Sequence, residues 1–272
     1  MPDDVVRLPE LTKHMIAEID GAIGWITFNK PERRNAVSTD MWEALPKILD
    51  EFEANPQVRV IVLKGAGDKA FVSGADISQF EQARNTPEQV AAYERFVENS
   101  SDRLRHVGKP TIAMIRGWCV GGGVAITLNT DIRICSDDSR FAIPAAKLGL
   151  GYRATGINKL VSIVGPAFAK EIFFTARAFS AAEAEKMGLV NRVVPAAELE
   201  SYVREYCETI AANAPLTILA VKREVEEIAG KLPGHVDAEL CDRLVKACFA
   251  SADYKEGRSA FMEKRKPVFK GA

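Results

Sequence analysis

Strand-length apolar runs alternate with longer amphipathic stretches over the first half of the chain, and beyond about residue 155 the pattern becomes mostly helical. That order fits an α/β core closed by a helical region. Met15 to Ile19 and Ala22 to Phe28 flank Asp20-Gly21 and predict a hairpin. Ser38, Thr39 and Asp40 are N-cap candidates for a helix carrying Met41, Leu45, Ile48, Leu49 and Phe52 on one face. Pro46 inside that run predicts a kink or a later start. Val58–Leu63, Thr111–Ile115 and Ile132–Cys135 read as strands, 87–106 as a helix, and Gly121–Leu128 as a helix start. Further on, Pro166–Thr175 and Ser180–Met187 read as helices around a short strand at Val190–Val194. Helical stretches near 196–213, 215–230 and 235–249 follow, with Pro233-Gly234 as an internal break.

The 272 residues are enough for one large domain, or one domain with a helical appendage. A net charge of −1 argues against a nucleic-acid footprint or a basic membrane-binding face. Three separated histidines and five scattered cysteines offer neither a metal-ligand spacing nor a disulfide framework. Free thiols, no apolar leader and no run near 20 apolar residues make the cytoplasm the expected location.

Two glycine-rich segments carry the chemistry. Gly121-Gly122-Gly123 precedes an apolar helix, where backbone N–H groups are free and another backbone or a ligand can approach closely. Phe71-Val72-Ser73-Gly74-Ala75-Asp76-Ile77 follows a strand and loop, and a small residue after glycine lets an N–H face a cavity. Each segment alone is equally satisfied by an ordinary turn, the second with Asp76 as its cap.

Taken together and in order, these segments resemble the crotonase (enoyl-CoA hydratase/isomerase) family. So do Asn29 to Ala36, Lys109 to Ala113, Phe179 to Ala184, Met187 to Val190 and the tail Phe261 to Lys270. The resemblance implies an α/β spiral of ββα units with helical C-terminal packing. It implies a crotonase-like core over 1–205, continuous with a trimerisation region over 206–272, in a homotrimer or homohexamer. It implies an acyl-CoA thioester substrate and no cofactor beyond the coenzyme A that the substrate carries. The N–H groups of Ala75 and Gly122 would hold the thioester oxygen, which stabilises an enolate. Arg34, Ala36, Ser73, Gly74, Asp76, Ile77, Trp118 and Gly121 would line the substrate site, and Lys264 would reach a CoA phosphate.

The chain departs from the family at two positions. Family hydratases carry glutamates where this chain has Ala125 and Ala145, and a methyl group cannot transfer a proton. Near the expected reaction centre stand Tyr152, Arg153, Lys147, Asp76 and Cys119. A tyrosine at the position of Tyr152 is similar to the methylmalonyl-CoA decarboxylase branch, although that branch has histidine at the position of Ala75. Decarboxylation or C–C cleavage is therefore expected first. There Tyr152 would orient a leaving carboxylate and Arg153 would attract it. Two alternatives stay open: a hydratase or isomerase with relocated acid/base groups, and a catalytically silent acyl-CoA-binding protein. For Tyr152 a packed aromatic ring, and for Cys119 a small buried hydrophobe, are the competing readings.

Overall fold

The computed structural model describes residues 5–76, 86–229 and 236–272. Its eleven named strands are β1 (Val6–Arg7), β2 (Met15–Asp20), β3 (Ile23–Phe28), β4 (Val60–Gly65), β5 (Ala70–Val72), β6 (Thr111–Ile115), β7 (Trp118–Val120), β8 (Ile132–Ser136), β9 (Arg140–Ala142), β10 (Phe179–Ser180) and β11 (Arg192–Val194). Its helices are α1 (Thr39–Ala54), α2 (Pro87–His106), α3 (Gly122–Thr127), α4 (Ala154–Thr175), α5 (Ala181–Lys186), α6 (Leu199–Ala211), α7 (Pro215–Ile228), α8 (Ala238–Ala250) and α9 (Ala252–Glu263).

Two sheets form. One has the order β1-β2-β3-β4-β6-β8-β11, the other β10-β9-β7-β5. The pairs β4/β5, β6/β7 and β8/β9 each place one strand in the large sheet and the next in the small one. Repeating that step winds the chain into the expected spiral. The β2–β3 hairpin forms, but Asp20 pairs with Ile23 as the last residue of β2, so the turn is Gly21-Ala22, one residue later than expected. From β3 onward the large sheet is parallel, and its inner strands are apolar on both faces because helices cover both.

The expected stripe of α1, from Met41 to Phe52, is buried. Pro46 neither delays the start nor divides the helix. It removes the N–H that would bond the Trp42 carbonyl. The Ser100 hydroxyl, arriving from α2, donates to that buried carbonyl instead. Helix α4 begins at Ala154, earlier than Pro166 suggests, and breaks at Gly165 (φ 75°, ψ 167°) just before that proline. The expected boundary at 205/206 falls inside α6, which packs as one helix on the large sheet through Leu199, Val203 and Cys207. Pro233-Gly234 lies outside the described residues. Among the described residues no helix is long and apolar enough to cross a membrane.

Candidate active site

The small sheet brings the two glycine-rich segments together. β5 and β7 are adjacent and parallel, with Ala70 opposite Trp118 and Val72 opposite Cys119. Their C-terminal ends therefore lie side by side. Ser73–Asp76 leaves the end of β5, and Gly121-Gly122 leaves the end of β7 to start α3.

Main-chain bonds fix the first segment. Val37 forms a parallel bridge with Ala75. Its N–H donates to the Gly74 carbonyl at 2.8 Å, and its carbonyl accepts from the Asp76 N–H at 2.9 Å. Successive peptide groups of extended chain point to opposite sides, so the Ala75 N–H faces away from Val37. Gly74, at φ 115°, makes the bend before it in a region closed to other L-residues. The Ser73 N–H donates to the Arg34 carbonyl at 3.1 Å. Arg34 and Ala36 thus flank the same segment.

The second segment presents Gly122 as the first residue of α3, where an N–H has no acceptor inside the helix. Gly121 N–H is taken by the Ala142 carbonyl at 2.9 Å. A Cβ placed on Gly122 would stand 3.6 Å from the Ala75 nitrogen. Neither the Ala75 nor the Gly122 N–H has a backbone acceptor among the described residues. Two free donors from different parts of the chain thus lie within a few ångströms of each other. Gly123 allows the approach, because a Cβ there would lie 2.3 Å from the Val72 carbonyl oxygen.

Ala125 is one turn beyond Gly122 on α3, and its N–H bonds the Gly121 carbonyl. Ala145 is buried in the 3₁₀ turn Pro144–Leu148, three residues past Ala142. Tyr152 is half-buried and packs edge-on against Phe173 of α4, with centroids 5.0 Å apart. Burial pushes its phenol pKa up, so the hydroxyl stays protonated at neutral pH. Arg153 points elsewhere: its exposed guanidinium pairs with Glu94 and with Glu98 at 3.2 Å, both on α2. Lys147 and Trp118 are exposed. Cys119 is fully buried, and burial raises its thiol pKa strongly, which fits the packed hydrophobe and not a nucleophile. Ile77 lies outside the described residues.

Lys264 caps α9, and the tail beyond it is tied to the other end of β4. There Arg59 donates to the Phe269 carbonyl at 2.7 Å. No described contact joins Lys264 to residues 34–36 or 73–76. A cavity of about 550 Å³ lined by Thr27, Lys64, Met114, Arg116 and Glu200 also lies apart from the two donors.

Two arrangements carry no sequence signal of their own. Asn35, fully buried at φ 57°, donates to the carbonyls of Ala66 and Ala70 at 3.0 and 2.8 Å and so anchors the 30–36 loop. Lys30 pairs with Asp76 at 2.6 Å. The side chains involved are separated by many residues, and only the fold brings them together.

The enoyl-CoA hydratase/isomerase family model matches residues 18–272. The chain is 35% identical over 255 residues to a short-chain-enoyl-CoA hydratase of Clostridium acetobutylicum, covering 93% of this chain and 96% of the relative. It is 33% identical over 260 residues to a carnitinyl-CoA dehydratase of Escherichia coli, covering 93% and 96%. A solved enoyl-CoA hydratase/carnithine racemase from Magnetospirillum magneticum superposes with a TM-score of 0.92 at 33% identity, over 98% of this chain and 97% of that one. The chain belongs to the enoyl-CoA hydratase/isomerase family, the crotonases.

Proposed function

We propose that this protein binds an acyl-CoA thioester and stabilises its enolate through the N–H groups of Ala75 and Gly122, and that it favours decarboxylation or C–C cleavage. The observation that carries the reading is the proximity of two main-chain donors that have no backbone acceptor among the described residues, in a chain with methyl groups at Ala125 and Ala145. In a malonyl-type thioester the bond from Cα to the carboxylate breaks and CO₂ leaves. The electron pair moves onto the thioester oxygen, giving an enolate that solvent or a nearby acid then protonates at Cα. No base is needed for the first step, so the missing carboxylates are no obstacle. Two glutamates at 125 and 145 would instead repel an anionic acyl group. Preorganised donors of this kind are each worth on the order of 10²–10³ in rate.

Tyr152 supplies a protonated hydroxyl able to donate to the departing carboxylate. Arg153 acts at a distance at most, since Glu94 and Glu98 already hold it. The reaction draws on no cofactor beyond the substrate's own coenzyme A. Val221, Val225 and Ile228 form an exposed apolar stripe on α7, and Phe249 and Phe261 are exposed on α8 and α9. We assign these faces to packing between copies in a trimer or hexamer, to be checked by light scattering. Buried free thiols at Cys119 and Cys135 suit a cytoplasmic location.

The names of the relatives favour a second reading, in which water adds to an enoyl-CoA through acid/base groups other than residues 125 and 145. Mass-spectrometric turnover of mixed enoyl-CoA and malonyl-type CoA esters separates the two, with Tyr152→Phe run beside the parent. Loss of one CO₂ that depends on Tyr152 is expected. Gain of one water would overturn the decarboxylase reading. Tight binding of CoA esters with no turnover would identify a silent binding protein.

A further inference from the structure

We infer that Lys30 is a positioning residue for the thioester-oxygen site: its ion pair with Asp76 holds the Ala75 N–H in place. The inference rests on the reading of Ala75 as an oxyanion donor. Asp76 follows Ala75 directly, so a drift of residue 76 passes through one residue to the 74–75 peptide, which carries the Ala75 N–H. The Lys30 ammonium meets the Asp76 carboxylate at 2.6 Å, and both side chains are largely withdrawn from solvent, 13% and 6% exposed. Screening is weak at such a place, and the pair acts as a fixed strut.

The other end of the strut is equally fixed. Lys30 N–H donates to the Asn35 side-chain oxygen at 3.0 Å. Its carbonyl accepts from the N–H groups of Arg33 and Asn35 at 3.0 and 2.9 Å. The loop it closes ends at Val37, the residue that bridges Ala75. Residues 74–76 are thus gripped twice by one loop, through main chain at Val37 and through charge at Lys30. The main-chain grip sets the sense of the Ala75 peptide. The ionic grip removes its remaining freedom to rotate about the segment's own axis. A displacement near 1 Å in such a donor is enough to cost about 10²-fold in rate.

The test uses the full-length protein and a chromophoric aryl-enoyl thioester of coenzyme A. Hydrogen bonds to the thioester oxygen polarise the conjugated carbonyl and shift its absorption to longer wavelength. The parent is expected to show the red shift on binding. Lys30→Met is expected to lose most of it and to turn over substrate about 10- to 100-fold more slowly, with KM changed far less than kcat. Lys30→Arg should restore most of both. A Lys30→Met protein that keeps the full red shift, whatever its thermal stability, would overturn the inference. If Lys30→Met does not fold, Asp76→Asn keeps the shape of the side chain and gives the same readout: a lost shift supports the strut and a retained one refutes it. A parent that binds the thioester with no red shift would reject the oxyanion site itself, which separates that failure from this one.

Discussion

Substituting Gly123 tests how the two donors are brought together. An alanine Cβ at 123 would lie 2.3 Å from the Val72 carbonyl oxygen and 3.0 Å from the Val72 Cβ. Carbon and oxygen in ordinary contact stand roughly 3.3 Å or more apart, so strand β5 and helix α3 must separate by about 1 Å. The obstacle is backbone and cannot swing aside as a side chain would. Val72 leads into Ser73-Gly74-Ala75, and Gly123 follows Gly122. The separation therefore passes directly into the gap between the donors. Gly123→Ala is expected to slow turnover about 10²-fold and to destabilise the fold by about 1–3 kcal/mol through overpacking.

Gly122→Ala is the matched control. Its Cβ would stand 3.6 Å from the Ala75 nitrogen and from the Gly74 carbonyl carbon, an ordinary contact. That variant should melt within about 2 °C of the parent. It should still lose activity, because the methyl crowds the place where an oxyanion must sit roughly 2.7–3.1 Å from the donor. Thermal unfolding and turnover of the same preparations provide the comparison. A Gly123→Ala protein with turnover within about threefold of the parent would refute the claim that the close approach of β5 and α3 sets the donor geometry.

Further expectations concern the frame around the site. Ser100→Ala should cost about 1–3 kcal/mol by orphaning the buried Trp42 carbonyl. The cost should shrink in a Pro46→Ala background, where a helical N–H returns to that carbonyl; equal losses in both backgrounds by chemical denaturation would disprove the compensation. Burial lowers the Lys109 pKa from its ordinary 10.5 to about 8, while its ammonium bonds the carbonyls of Phe52 and Asn55. Across pH 8 to 10.5 the unfolded chain therefore binds more protons at this lysine, and its contribution to stability rises with pH. Subtracting the pH profile of Lys109→Met from that of the parent should reveal the rise; a flat difference would contradict it. At Asp40, desolvation raises the pKa but the neighbouring Ser38, Thr12 and His14 outweigh it, the last two through side-chain bonds, bringing it from 3.8 to about 2. Its stabilisation is fully present above pH 3.8 and lost as pH falls through about 2, so Asp40→Asn should remove that part of the acid limb.

Local patterns made much of the fold legible. The β2–β3 hairpin, the buried stripe of α1, the helix over 87–106 and the strand Thr111–Ile115 all follow from turn chemistry and periodicity. The small sheet does not. Strands β5, β7 and β9 have three residues each, too few for an alternation to be read. Yet that sheet aligns the ends of β5 and β7 and so brings the two donors together. The glycines of the site were visible because close approach leaves a mark in residue type. The strut from Lys30 to Asp76, the anchor at Asn35 and the pairing of Arg153 with α2 leave none, since each rests on contacts between residues distant in sequence. Charged residues that look free in a sequence often have their partner supplied by the fold.

The way the two donors are held bears on how the chemistry of such a site can change. Both are main-chain groups, and their geometry comes from the Val37 bridge, the approach of Gly123 to Val72 and the Lys30–Asp76 pair. None of these supports involves the side chain at 125 or 145. Ala125 lies one turn along α3, and Ala145 sits in a separate 3₁₀ turn beyond β9. Side chains at those two positions can therefore be gained or lost without disturbing the grip on a thioester oxygen. In the proposed function they set only which protons move after the oxygen is held. On this reasoning, introducing Ala125→Glu and Ala145→Glu together should leave the red shift of a bound aryl-enoyl thioester intact, since the donors do not move. It should also weaken a malonyl-type ester relative to a neutral enoyl ester by about tenfold or more, through repulsion between the new carboxylates and the acyl carboxylate. Competitive binding of the two esters to parent and double variant measures that ratio, and an unchanged ratio would show that the acyl group does not lie between residues 125 and 145.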